Sequence, residues 1–311
     1  MQLASEQNHL LQDLLTACRQ HIYHNEPQQL DGMGVFHCHQ RQSLRAVPIH
    51  QPSLILVLCG EKHLHHAGNL TRCAAGELLL LPAMCEVQLE NIPDPIQQEY
   101  LALCIAIAPQ TITRFINGFA TTLNWREQMS LLCAPAPDTV LLSLLQRLQW
   151  SRAGTSDELL LELRQQELLA HCARQGWLGH LLRDGGLGVA QRVSSLVAAD
   201  CARDWRIADA CAALAMSESS LRRELQREST GFREILEQVR LTTALGMLQG
   251  TRRNVAEIAG QVGYDSPSRF AARFRQRFGM SPGEVKSSRE KLTDSGATLV
   301  DSGANVLATP G

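Results

Sequence analysis

The sequence predicts an α+β chain of more than one domain: a strand-rich N-terminal half with helical segments, and an all-α C-terminal half carrying two helix-turn-helix motifs. Three observations predict it. Residues 206–228, RIADACAALAMSESSLRRELQRE, and residues 254–279, NVAEIAGQVGYDSPSRFAARFRQRFG, each read as an apolar helix, a tight turn and an arginine-studded helix. Residues 33–108 instead show short apolar runs separated by turn signals. Charge and histidine are also unevenly placed. Residues 1–186 hold 12 Lys+Arg against 17 Asp+Glu, residues 187–291 hold 17 against 12, and all 11 histidines precede residue 181. At 311 residues, two domains can each bury a core of their own.

Residues 1–20 read as a helix with Leu10, Leu11, Leu14 and Leu15 on one side. The expected strands are Val35–His39, Ser53–Cys59, Lys62–His66, Glu77–Leu81, Glu86–Glu90 and Glu99–Ile107. Between them lie the turn signals Cys59-Gly60-Glu61, Ala67-Gly68-Asn69, Ala75-Gly76 and Pro93-Asp94-Pro95. Many short strands at this spacing predict a small barrel or sandwich. Residues 138–182 return to helix, with one segment marked by Leu141, Leu142, Leu144, Leu145 and Leu148 and another by Leu159, Leu160, Leu163, Leu168, Leu169 and Cys172. These leucines either pack on their own domain or form a dimer interface. The connection is expected over Gly176 to Gly188, softest at Asp184-Gly185-Gly186.

In the first motif Ile207, Ala210, Cys211 and Leu214 recur at helical spacing, and Ala215-Met216 ends the helix. Ser217 is the expected N-cap of the next helix. Leu221 and Leu225, four apart, face the core and leave Ser219, Ser220, Arg222, Arg223, Gln226 and Arg227 outside. Arginine can bind phosphate or make a bidentate contact with guanine, and serine lets a helix approach closely.

In the second motif Val255, Ile258, Ala259 and Val262 form the apolar face, and Gly263 suits a sharp turn at positive φ. Ser266-Pro267 then opens a helix with a capping serine and proline at its first position. Phe270, Phe274 and Phe278 step by four as the buried stripe, with Arg269, Arg273, Arg275 and Arg277 around them. A basic duplicated motif behind an acidic half points to double-stranded DNA as partner, read in two adjacent major grooves.

The stretch 187–289 resembles the DNA-binding domain of the AraC/XylS family of bacterial transcription regulators. The resemblance rests on Ser217-x-x-x-Leu221-x-Arg223, on Phe232-Arg233-Glu234-Ile235-Leu236 with Arg240-Leu241, and on Val255-Ala256-Glu257-Ile258-Ala259. It continues through Val262-Gly263-Tyr264-x-Ser266, Phe270, Phe274 and Phe278-Gly279-x-Ser281-Pro282. It implies a long central helix, here Phe232 to Leu248 and ending at Gly250, between the two units. It carries DNA contact over to Arg222, Arg223, Ser268 and Arg269, and the outer-face positions of the two helices add Ser219, Ser220, Arg227, Arg273 and Arg275 as expected contacts. Two departures stand out. Ser229 replaces a common glycine, and Ala272 stands where the family often has a base-contacting arginine. Arg269 or Arg273 is left to substitute, or the second unit contacts mainly phosphate.

Pro52-Ser53-Leu54 through Gly60-x-Lys62, then Gly76-Glu77-Leu78 to Pro82, more loosely resembles the family's cupin-like sensor domain. The full expectation is therefore an α+β multidomain chain. Residues 1–182 form a cupin-like β-barrel with a helical dimerisation segment. Residues 187–289 form the all-α double helix-turn-helix domain. Residues 290–311 are a disordered tail, whose low-complexity composition begins at Ser288. The resemblance implies a transcription regulator, an activator rather than a repressor, controlled by a small-molecule effector bound in residues 1–182. Its implied partners are promoter DNA, RNA polymerase and a second copy of the chain. A regulator switched by a protein partner, or a cupin-type enzyme with a DNA-binding appendage, are the alternatives.

No enzyme activity is expected. Glu61 and Glu77 are available as carboxylates, but no glycine-rich phosphate loop or nucleophile elbow accompanies them. No cofactor or metal is expected either. His37-Cys38-His39 and His63-Leu64-His65-His66 contain zinc- and copper-type ligands, as do nearby Cys59, Cys73 and Cys85. Strand periodicity, however, places His37 and His39 on the face opposite Phe36 and Cys38, the expected outer face, and sets His63 and His65 opposite Leu64. The ten cysteines lack paired spacing and read as buried apolar residues. With no membrane-length apolar run and no signal pattern, the expected location is the cytoplasm.

Overall fold

The computed structural model describes residues 2–23, 30, 32–119, 128, 130–154, 157–181 and 188–290. The N-terminal part begins with α1 (Gln2–Tyr23) and continues through β1 (Met33–Cys38), β2 (Gln42–Ile49), β3 (Ser53–Cys59), β4 (Glu61–His66) and β5 (Asn69–Ala74). Next come β6 (Glu77–Leu81), β7 (Cys85–Ile92), β8 (Tyr100–Ala106), α2 (Pro109–Phe119), β9 (Leu132–Pro135), α3 (Asp138–Arg152) and α4 (Glu158–Arg174). The C-terminal part holds α5 (Val189–Ala199), α6 (Ile207–Leu214), α7 (Glu218–Arg227), α8 (Phe232–Gly250), α9 (Val255–Gln261), α10 (Pro267–Phe278) and α11 (Pro282–Ser287).

The strands pair antiparallel in two sheets, ordered β1-β8-β3-β6-β9 and β2-β7-β4-β5. No ladder among the described residues joins one sheet to the other, so the expected barrel takes the form of two facing sheets. The continuous apolar run of β3, SLILVLC, is buried at every position. Its alternate residues serve two cores, because helices cover the outer face of its sheet. Leu54 and Leu56 pack with Leu14 of α1 and Leu141 of α3, whereas Ile55 and Val57 face Leu64 and Leu89 of the other sheet.

That helical cover corrects one expectation. His37 is buried, not on an open outer face. Its Nε2 lies 3.2 Å from Glu99 Oε1, and Arg19 of α1 donates to Glu99 Oε2 from the other side, 2.9 Å from Nε. Burial pushes the Glu99 carboxyl up, but the hydrogen bonds from His37 and Arg19 outweigh it and hold its pKa down to about 2. His63 is half-buried beside Glu61, and His65 is exposed, as the alternation predicts.

Three strands escape the sequence pattern. The run of β2 is broken by Arg45 and Pro48 and by a bulge between Leu44 and Val47; β5, NLTRCA, is a polar edge strand; β9 has only four residues. The C-terminal boundary also shifts. Ser288 is buried, and its carbonyl accepts hydrogen bonds from the backbone of His39 at 2.7 Å and Gln40 at 3.0 Å, so the chain is still packed at the point where its composition turns tail-like. Residues 291–311 and the expected soft point at 184–186 lie outside the described residues.

Candidate nucleic-acid interface

Each helix-turn-helix is assembled by local capping. Ser217 accepts from the Ser220 amide, and Ser266 accepts from the Arg269 amide, with Pro267 at the first helical position. Asn254 and Glu257 form a reciprocal capping box at the start of α9. The turn of the second unit needs glycine. Gly263 sits at φ 79°, and a Cβ there would come within 2.9 Å of the Cys201 carbonyl oxygen. The first unit makes the corresponding turn at Ala215, φ 53°, a left-handed conformation that costs an L-residue roughly 1–2 kcal/mol.

Phe270, Phe274 and Phe278 are fully buried and stack in sequence, with ring centroids 5.6 and 4.7 Å apart. Burying this stripe leaves the opposite face of α10 to polar side chains. Leu221 and Leu225 do the same for α7. The spanning helix α8 is 19 residues long and joins the two units. Arg240, on α8, donates to the carbonyls of Cys201 and Arg203 and fixes α8 to the loop before α6.

The residues expected to contact DNA are placed as follows. Ser219, Arg222, Arg223 and Arg227 are exposed on α7, and Ser220 is half-buried within the cap, accepting from the Ser217 hydroxyl at 2.9 Å. Arg222 pairs with Glu218 at 2.6 Å and Arg227 with Glu224 at 3.1 Å. Such exposed pairs are worth about 0–1 kcal/mol, so a phosphate can replace either carboxylate at little cost. Ser268, Arg269 and Arg275 are exposed on α10. Arg273 leans toward α8, 3.4 Å from Glu237. Arg277 turns away from the exposed face and pairs with Glu86 of β7 at 2.5 Å.

That last pair belongs to an extensive contact between the two halves. Side chains of α5 and α8 form one wall of a partly open cavity of about 320 Å³ against the strands. Apolar side chains such as Phe36, Ile49, Ile55, Leu81 and Leu89 line it from the strands, and Val239 and Leu245 line it from α8. Lys62 reaches it from β4, fully buried. Its Nζ donates to Asn91 Oδ1 at 2.5 Å and lies 3.5 Å from the Tyr100 hydroxyl. Burial lowers the Lys62 pKa from 10.5 to about 8. His50, also on the cavity, is pushed down to about 4 by burial and is neutral at pH 7. Lys62 is therefore the cavity's cation.

Sequence alone assigns no effector-binding residue. The signal that points to Lys62 is its register: it shares a face with Leu64, two residues on.

Fold and site define a two-domain protein in which a β domain packs against paired helix-turn-helix units. A family model described as the AraC-type transcriptional regulator N-terminus matches residues 29–176, and one described as a helix-turn-helix domain matches residues 210–288. The chain belongs to the AraC family of transcriptional regulators, a family of regulators and not of enzymes.

Among curated relatives, the transcriptional regulator SirC of Salmonella typhimurium is 34% identical over 92 residues, 30% of this chain and 31% of SirC. The HTH-type transcriptional regulator YdeO of Shigella flexneri is 38% identical over 97 residues, 31% of this chain and 38% of YdeO. These matches span about a third of the relatives' length. The fold is similar to that of ToxT from Vibrio cholerae. An apo form aligns with TM-score 0.59 at 17% identity, covering 83% of this chain and 97% of ToxT. A form bound to an unsaturated fatty acid aligns with TM-score 0.57 at 17% identity, covering 83% of this chain and 95% of ToxT. Among the described residues, no helix is long and apolar enough to cross a membrane.

Proposed function

We propose that this chain is an effector-responsive activator of transcription that binds promoter DNA as a homodimer in the cytoplasm. The observation that carries the reading is the rigid joining of two capped, arginine-bearing helices, α7 and α10, by α8. At 1.5 Å per residue α8 is about 28 Å long, of the order of one DNA turn, so one protomer can address two adjacent major-groove segments. Ser219, Ser220, Arg222, Arg223 and Arg227 make the contacts of the first unit, and Ser268, Arg269, Arg273 and Arg275 those of the second. With Ala272 supplying no guanidinium and Arg273 drawn toward Glu237, the second unit is the weaker reader of bases.

The effector in this reading is an apolar acid of the fatty-acid class. Its chain would occupy the space between the sheets, which act as the cupin-like sensor, and its carboxylate would meet the Lys62 ammonium. An apolar cavity with a single buried cation has the chemistry for such a ligand. Because α5 and α8 form one wall, a ligand there has different contacts in different arrangements of the two halves, which is what shifting an equilibrium requires. Dimerisation uses the exposed stripe Leu142, Leu159 and Leu163 on α3 and α4. Activation then follows from recruiting RNA polymerase.

The test is to map the DNA bound in the native cell, then measure affinity for a recovered site with and without an unsaturated fatty acid. The reading requires site-specific binding, a change in affinity with the acid, and loss of that change in Lys62→Met. Enrichment no better than random DNA would defeat the regulator reading. Specific binding indifferent to the acid would defeat only the effector assignment.

A further inference from the structure

We propose that Cys73, Glu77 and Cys133 form a binding site for one divalent cation of the zinc type, at the seam between the edges of the two sheets. The donors come from three strands. Cys73 lies on β5, the last strand of the four-stranded sheet, and Cys133 lies on β9, the last strand of the five-stranded sheet. Glu77 opens β6, just after the Ala75-Gly76 turn that carries the chain from one sheet to the other. In the β6–β9 ladder Cys133 is opposite Leu79. Glu77, two residues before Leu79, therefore shares its face and lies diagonal to Cys133.

The thiol sulfurs and a carboxylate oxygen all lie within 4.8 Å of one another. Around a tetrahedral zinc with Zn–S of about 2.3 Å and Zn–O of about 2.1 Å, two sulfurs stand about 3.8 Å apart and a sulfur and an oxygen about 3.6 Å apart. Cys133 Sγ is already 3.5 Å from Glu77 Oε2, and Cys73 has to close by at most about 1 Å. Glu77 Oε2 is held in place by the Ala74 amide at 2.7 Å, the supporting contact a carboxylate ligand needs.

The buried Lys62 ammonium acts on Cys73 electrostatically: it repels an incoming cation but favours the thiolate that the cation needs. Lys62 pairs with Cys73 across the β4–β5 ladder, but its ammonium is directed to Asn91. Two thiols and one carboxylate suit zinc better than magnesium or calcium, which take oxygen donors.

Binding converts both thiols to thiolates. One M²⁺ enters, two S–H bonds break, two M–S bonds and one M–O bond form, and two protons leave to buffer. Three protein ligands leave the fourth position to water, on the side where Glu77 and Cys133 are partly exposed. The cation would clamp β9, held otherwise by a four-residue ladder, to the opposite sheet. Chain order runs from β9 directly into α3, so the clamp also fixes the start of the helical surface.

The experiment is a cobalt(II) titration of the untagged full-length chain, chelator-treated and kept reduced with a phosphine. The expected result is one equivalent of cobalt giving tetrahedral d–d bands and a near-ultraviolet thiolate-to-cobalt charge-transfer band, both displaced by zinc. Zinc should raise the Tm of the wild type. Cys73→Ser and Cys133→Ser should lose the charge-transfer band. Glu77→Gln should keep it with affinity at least tenfold weaker, and Cys201→Ser, in the C-terminal part, should bind like the wild type. Absence of a zinc-displaceable band in the wild type overturns the proposal, whatever the fate of the variants. So does an unchanged band in the Cys73→Ser/Cys133→Ser double variant.

Discussion

Gln249 of α8 donates from Nε2 to Oε1 of Gln42 on β2 at 2.8 Å, across 207 residues of sequence and between the two halves of the molecule. The same Gln42 oxygen accepts from Asn91 at 2.9 Å, and Asn91 accepts from Lys62. The other end of Gln42 donates to Ser288 Oγ at 2.8 Å. A continuous buried chain of hydrogen bonds thus runs from the cavity cation to the helix that joins the DNA-binding units and to the end of α11. All five side chains are buried, so each polar group depends on its neighbour.

Gln42→Leu is expected to leave the amide donors of Asn91 and Gln249 without an acceptor, while Asn91 Oδ1 keeps Lys62 and Ser288 Oγ keeps the Val285 carbonyl. An unsatisfied buried polar group costs roughly 1–3 kcal/mol, and relaxation will recover part of the total. Denaturant unfolding should show a loss of about 2–4 kcal/mol, on the scale of one or two such groups. Ser43→Ala, on the exposed neighbour, should lie within about 0.5 kcal/mol of wild type. Equal stabilities would show that the relay is not structurally coupled.

The pH dependence of Lys62 has a definite sign. Its folded pKa of about 8 lies below the unfolded value, so between pH 8 and 10.5 the unfolded chain holds more protons. This group's contribution therefore becomes more favourable as pH rises through that window, and its penalty is fully present below pH 8. Buried thiols act oppositely: burial pushes Cys18, Cys38 and Cys172 up to about 12, so the native state retains their protons longer. The informative quantity is therefore the wild-type stability minus that of Lys62→Met. It should rise by about 1–3 kcal/mol from pH 7.5 to 10, because each tenfold difference in proton affinity between the folded and unfolded chain is worth roughly 1.4 kcal/mol. A flat difference would place Lys62 in a solvated setting.

Arg222→Ala and Arg223→Ala separate base contacts from phosphate contacts. A residue that reads a base should cost roughly 1–3 kcal/mol on the specific site and much less on random DNA. A phosphate-binding residue should lose equally on both and reduce the slope of log K against log salt by about one. Titrations at two or more salt concentrations distinguish these, and no effect on either DNA would remove α7 from the interface.

Leu159 and Leu163 are 67% and 51% exposed at i and i+4 on α4, while Leu168 and Leu169 further along the same helix are buried. Leu159→Glu/Leu163→Glu should leave the unfolding midpoint of the protomer nearly unchanged and convert the sedimenting species from dimer to monomer. A dimer that survives both charges would move the interface elsewhere.

The helix-turn-helix half was legible because its determinants are local. Ser217 and Ser266 cap helices through partners three residues away, and Phe270, Phe274 and Phe278 declare a buried stripe by spacing alone. Strands β3 and β6 were legible as short apolar runs between turns. Strands β2 and β9 were not, since they become strand only through ladder partners distant in sequence, and β5 was hidden by its polar residues although its partner β4 lies just across the Ala67-Gly68 turn. His37 was misplaced for a related reason: strand alternation assigns a residue to a face but does not say what covers that face.

What the sequence determined by itself was therefore the helix-turn-helix pattern, the helices α7 and α10 and the arginines they carry, because backbone capping and helical periodicity act within about one turn. The tertiary structure alone decided which arginines face outward, with Arg277 drawn to Glu86 across 191 residues. It also decided the cavity around Lys62, the relay through Gln42 and the meeting of Cys73 with Cys133. Each of these depends on burial shared between elements far apart in the chain, and burial sets the cost of an unpaired charge or hydrogen bond only once both sides are in place.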